Sequence, residues 1–250
     1  MSAAVAARVS VIVPALADGA ALTAHLPRLA REREVAEVIV ADGGGNDAAA
    51  AAIAACGALR VPCGGGRGPQ LNAGAAAARS ELLLFLHADC WLADGALDEA
   101  CARLLAPGVG AVVFRQRIEG ERFAYRLIEA AASRRARVHG SPYGDSGLLL
   151  RRADFERIGG FPPLPIAEDL AMAPRLSTLG AIVETERPLH LSARRWERHG
   201  IVKTTLLNRV VAWGFRLGVA PAKLYRVYYG RSPESLPVAA TSPAGEGRGA

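Results

Sequence analysis

The chain has 250 residues, 51% of them hydrophobic, which suffices to bury a full core in one domain. Its net charge of +6 points to anionic partners, and no uncharged apolar run approaches the roughly 18 residues of a membrane span. Cys56, Cys63, Cys90 and Cys101 form neither a CxxC pair nor a metal-ligand spacing, so reduced thiols in a cytoplasmic protein are expected.

Residues 1–7 lack the charged-then-apolar order of a signal peptide and read as a flexible N-terminus. A β-branched strand over 9–13 and a helix over 20–31 follow. A second strand over 38–40 ends in Asp42-Gly43-Gly44-Gly45, and an alanine helix starts at an Asn46 or Asp47 cap. A short strand at 59–62 leads into glycines 64–68, then a helix over 70–79. Leu82–Leu86 is too short for a helix and too apolar for a one-sided strand, so it predicts a central, buried strand. It runs straight into His87-Ala88-Asp89.

The second half predicts an alternating strand over 109–118, a helix over 122–138 and strands at 147–150 and 181–184. A helix over 168–179 contains Pro174, which should distort its first turns. The whole reads as an α/β fold, a doubly wound, mostly parallel sheet with flanking helices over 8–230. Residues 231–250 read as a disordered tail.

Glycines after strands suggest a dinucleotide site, but the spacing gives no GxGxxG, and no Gly-Lys-Ser or Gly-Lys-Thr makes a P-loop. What remains is a carboxylate at the end of each of two strands, with Arg67 in a glycine-rich loop between them. Asp89 either caps the next turn or holds a divalent metal against a diphosphate just beyond a buried strand. Asp42 either caps its own turn or accepts from a base N–H. Glu168-Asp169 either stabilises a helix N-terminus or presents a general base to a hydroxyl.

Eight segments in order carry a resemblance. They are Val-Pro-Ala-Leu (13–16), Asp-Gly-Gly (42–44), Gly-Arg-Gly-Pro-Gln-Leu-Asn-Ala-Gly (66–74) and His-Ala-Asp (87–89), then Gly-Asp (144–145), Gly-Gly-Phe (159–161), Glu-Asp (168–169) and Arg-Arg-Trp (194–196). Together they resemble a family-2 glycosyltransferase of the GT-A fold, nearest the bacterial arsenosugar-biosynthesis-type branch.

The resemblance implies a nucleotide-sugar donor, an acceptor hydroxyl and a divalent cation, Mg or Mn. It places Pro14 and Asp42 around the base, Arg67 near the base or phosphates, and Asn72 behind the same loop. Asp89 would hold the metal as the last residue of a DxD motif whose first position is His87. Asp169 would be the catalytic base of an inverting transfer, and Arg194, Arg195 and Trp196 would hold the diphosphate and acceptor. Two alternatives keep the fold: nucleotidyl transfer, or a non-catalytic module that binds nucleotide or docks on a membrane.

From Arg187 to Arg231 there are ten Lys and Arg against one acid, Glu197. No nucleic-acid recognition fold accompanies them, so an anionic ligand or an anionic membrane surface is the expected partner. In the helix predicted over 201–217, Val202, Leu206, Val210, Trp213 and Leu217 form one stripe, the one core packing needs. Leu207, Val211 and Phe215 form a second, expected to meet the inner face of the membrane peripherally. The alternative buries both stripes, against the protein itself or in a homodimer.

Overall fold

The computed structural model describes residues 8–16, 18–44, 47–139 and 144–233. Ala17, Gly45, Asn46 and the segments read as a flexible N-terminus and, from residue 234, a disordered tail lie outside the described residues.

Strand β1 (Val9–Ala15) is buried along its whole length and is followed by α1 (Gly19–Leu29). Next come β2 (Val35–Asp42), α2 (Asp47–Ala55), β3 (Leu59–Pro62), α3 (Arg67–Ala77) and β4 (Leu82–Phe85). Strand β5 (Cys90–Leu92) is short, and helix α4 (Ala96–Leu104) buries Leu97, Ala100, Cys101 and Leu104 on one face. The series continues with β6 (Val109–Ile118), α5 (Phe123–His139), β7 (Leu148–Arg151), α6 (Arg152–Arg157), α7 (Glu168–Leu176) and β8 (Ala181–Leu191). Three helices close it: α8 (Arg194–His199), α9 (Ile201–Arg216) and α10 (Pro221–Tyr229).

The strands form one sheet in the order β3-β2-β1-β4-β7-β6-β8-β5. β1 pairs in parallel with β2 and β4, and β6 in parallel with β8, whereas β7 runs against both its neighbours and β5 against β8. The expected mostly parallel, doubly wound sheet is therefore present. Alternation along β1 sends Val11 and Val13 to one core layer and Ile12 to the other, so helices cover both faces.

Several elements differ from the sequence reading. β8 runs to Leu191 rather than 184, because after a register shift beyond Glu184 it pairs again, with β6 over Pro188–Leu191 and with β5 over Leu189–Leu191. α4, β5, α6, α8 and α10 are additions to that reading. Pro174 leaves the first turn of α7 intact, with the Ala171 N–H donating to Ala167 O at 3.0 Å, and the helix ends two residues later.

Register fixes the site. Ala15 sits opposite Asp42, and Ile12 opposite Phe85, so the carboxyl ends of β2, β1 and β4 open on one edge. Chain order reverses between β1 and β4, the place where ligands of open α/β sheets bind. A third, small core of Ile166, Ala167, Val211, Leu224 and Tyr225 fastens α9 and α10 against the start of α7. The C-terminal helices thus wall the same edge.

Candidate active site

A cleft of about 480 Å³ lies at that edge. Of the residues expected there, Pro14, Arg67, Asp89, Asp169, Arg195 and Trp196 line it. Asp42, Asn72 and Arg194 do not, and each has a visible reason. Asp42 is buried and held by Arg60, whose Nε donates at 2.8 Å and Nη2 lies 2.6 Å away, while the Gly44 N–H also donates to it. Asn72 clasps the backbone of Phe161, donating to its O at 2.8 Å and accepting from its N–H at 2.9 Å. Arg194 is exposed at the start of α8, close enough to influence the charge on Asp18.

The wall nearest β1 is built on Gln70. Its amide is buried and donates to Ala15 O at 2.8 Å and Ala41 O at 3.1 Å, tying α3 to the ends of β1 and β2. Arg67 opens α3 and reaches across to Glu168, with Nη1 3.3 Å from Oε1. Burial opposes charge on Arg67, but Glu168 foremost, then Tyr229 and Asp169, outweigh it and keep the guanidinium protonated.

Acids crowd the cleft. Burial, with Asp89 adding repulsion, raises the Asp18 carboxyl above its usual range, although the Leu16 N–H offsets part of this. Burial also raises Asp145, with Asp169 as the repelling neighbour, and Gln116 donates to Asp145 at 2.7 Å. Glu168 is raised by burial as well. His87, by contrast, is pushed well below its usual value by burial and then by Arg67 and Arg195, so it lines the cleft as a neutral ring.

Asp169 sits one residue inside α7, behind Ala167 at φ 65°, the only described non-glycine with positive φ. Such a backbone costs of order 1–3 kcal/mol and is held where its surroundings enforce it. Here the small core around Ile166 and Ala167 does so. The two acids of the pair separate in role. Glu168 is buried against Arg67, whereas Asp169 is only half-buried and lines the open cleft.

The opposite wall comes from the C-terminus. Trp196 is buried beside Tyr125, its indole N–H without a partner among the described residues, and Arg195 lies over the Tyr228 ring at 4.6 Å. The Tyr228 hydroxyl donates to Asn208 at 2.9 Å, and burial pushes its pKa up to about 12. Asp18, Gln70, Asp145 and the tyrosines of α10 were not singled out as site residues from the sequence. Asp145 had a signal in Gly144-Asp145, and Tyr225, Tyr228 and Tyr229 had one in their i, i+3, i+4 spacing.

Among the described residues no three His, Cys, Asp or Glu side chains form a ready-made metal cage. A hard cation that keeps waters and takes phosphate oxygens does not need one. Asp89 and Asp18, close enough to repel each other's charge, fit such an ion.

Proteins of known structure share this fold. A mannosyltransferase from Pyrobaculum calidifontis, solved with GDP-Man and Mn2+, is 22% identical, with a TM-score of 0.60 over 89% of this chain and 68% of that one. TarS of S. aureus is 16% identical with a TM-score of 0.58, covering 90% of this chain but only 44% of TarS. Glucosyl-3-phosphoglycerate synthase of Mycobacterium tuberculosis is 21% identical, with a TM-score of 0.54 over 81% of this chain and 79% of that one. These likenesses establish the fold. No curated protein matches the sequence. The model of glycosyl transferase family 2 matches residues 10–159, which hold Pro14, Arg67, Asp89 and Asp145, well over half of the chain. The chain belongs to glycosyl transferase family 2.

Proposed function

We propose that the protein transfers a sugar from a nucleoside diphosphate donor to an acceptor hydroxyl, with inversion, aided by Mg or Mn. One observation carries the reading. A single cleft at the β1–β4 reversal is lined by Asp89, Arg67 and Asp169, a cation ligand, a phosphate partner and a candidate base. Structural neighbours solved with GDP-Man and Mn2+, with UDP-GlcNAc, and with UDP and Mn2+ support the donor class and the cation.

In this reading Pro14 bounds the base and Arg67 meets the phosphates. Asp42 and Asn72 stand behind them as supports of the wall rather than as ligands. Asp89, with Asp18 beside it, would hold the cation, which when bound would supply positive charge next to the diphosphate. Arg195 adds positive charge on the far side, with Arg194 outside it, and Trp196 contributes apolar surface to the wall beside the sugar or acceptor.

Asp169 takes the acceptor proton as the hydroxyl oxygen bonds to the anomeric carbon and the diphosphate leaves from the opposite face. Glu168 is unsuited to that work because it is buried against Arg67. Burial and, to a smaller extent, repulsion by Asp169 raise Asp145, which favours the protonated form of Asp145.

Titration calorimetry with UDP and GDP, with and without Mn2+, tests the reading. Binding of one of them that requires the cation is expected, and cation-independent binding or none would overturn it.

A further inference from the structure

Helix α9 turns one face inward and leaves another bare. Contrary to the sequence expectation, Val211 of the second stripe is the one buried, while Val202, Leu206, Val210, Trp213 and Leu217 are 45–80% exposed. At 3.6 residues per turn these five fall within an arc of about 80°. Arg209 and Arg216, both exposed, border the arc on one side, and exposed Lys203 on the other. Helix α10, seated on α9 through Leu224 at Gly214, adds exposed Lys223, Arg226 and Val227. From Arg198 to Pro233 the chain has no Asp or Glu.

We infer that this face docks peripherally on an anionic lipid surface. A contiguous apolar stripe with a bare tryptophan calls for a partner, and its charge selects which one. A two-fold dimer would set the patch against itself, and the helices meeting there carry cations but, from Arg198 to Pro233, no Asp or Glu. A bilayer rich in anionic headgroups meets each cation with an opposite charge while the stripe enters the acyl boundary. Trp213 suits the headgroup level, where an apolar ring with one polar edge is favoured. Crossing is a different matter, since among the described residues no helix is long and apolar enough to span.

The inward face of α9 gives the docking a consequence. Asn208, Val211 and Ala212 line the cleft, so the helix stands between the lipid surface and the site. The inference does not rest on the transfer reading, because it uses only the outer face of the helix.

Co-sedimentation with phosphatidylcholine vesicles, with and without about 30% phosphatidylglycerol, tests it. Pelleting is expected only with the anionic vesicles, and it should fall away at about 0.5 M salt. The double variant Leu206→Ser, Trp213→Ser should bind at least about tenfold more weakly, with an unchanged unfolding midpoint because both side chains are exposed. No pelleting at low salt, or equal pelleting on neutral vesicles, overturns the inference. So does undiminished binding by the double variant, which would leave charge alone responsible. A concentration-dependent dimer that the double variant dissolves, without lipid binding, would assign the face to a second copy.

Discussion

Arg67 and Glu168 are 101 residues apart in sequence, yet the Nη1 of one lies 3.3 Å from Oε1 of the other. The pair joins the first turn of α3 to the first turn of α7, and so fixes that side of the cleft relative to Asp169. Glu168→Gln keeps the shape and removes the charge. Burial raises the Glu168 carboxyl and so already favours its uncharged form, so the change in stability near pH 7 should stay below about 1 kcal/mol. Donor KM should rise more than kcat falls, as Arg67 loses its anchor. Urea unfolding and steady-state kinetics check both.

Asp89→Ala should abolish cation-dependent binding of a nucleoside diphosphate while leaving the fold unchanged. Asp89 faces the cleft just past a buried strand, so its removal frees no core volume. Calorimetry with Mn2+ decides it. Binding as tight as that of the wild type would remove Asp89 from the metal role.

Asp169→Asn should bind donor normally and transfer about 10²–10⁴-fold more slowly, the usual share of a general base. The amide retains an acceptor for the Leu170 N–H, now bonded to Oδ1 at 2.7 Å, so α7 keeps its first turn. Single-turnover transfer to any working acceptor measures the loss. Full activity in this variant would turn attention to Asp145.

Asp18→Asn separates stability from function. The folded Asp18 carboxyl is raised by burial above its ordinary value of 3.8, so the native state favours its protonated form. Its contribution to stability is complete below that ordinary value and is lost as pH rises through the raised folded one. The neutral variant should therefore be more stable than wild type near pH 7, with the gain vanishing near pH 3. It should at the same time bind the cation more weakly. Urea midpoints at the two pH values, with Mn2+ titrations, provide the check.

Asn72→Ala leaves the Phe161 N–H and C=O without their present partners, at a cost of about 2 kcal/mol. Once corrected for the folded fraction, nucleotide affinity should be unchanged if Asn72 only supports the wall. A tenfold loss of affinity in the folded protein would make it a ligand.

The sequence alone determined the alternation of strands and helices through β4, because apolar runs of the right length and glycine punctuation are local signals. It also placed Asp89 and Asp169 at element ends, where side chains meet solvent. Tertiary structure decided what local pattern leaves open. Asp42 reads equally as ligand or cap until β3 brings Arg60 beside it. β8 continues past its polar Glu184–Arg187 segment only because β6 and β5 pair with the residues beyond it. The two stripes of α9 have the same period and similar apolarity, so sequence cannot rank them. Packing against Leu224, Tyr225 and Ile166 buried Val211 and left Trp213 bare. A helix's period is set by its own backbone, but which side is inside is set by what the rest of the chain puts against it.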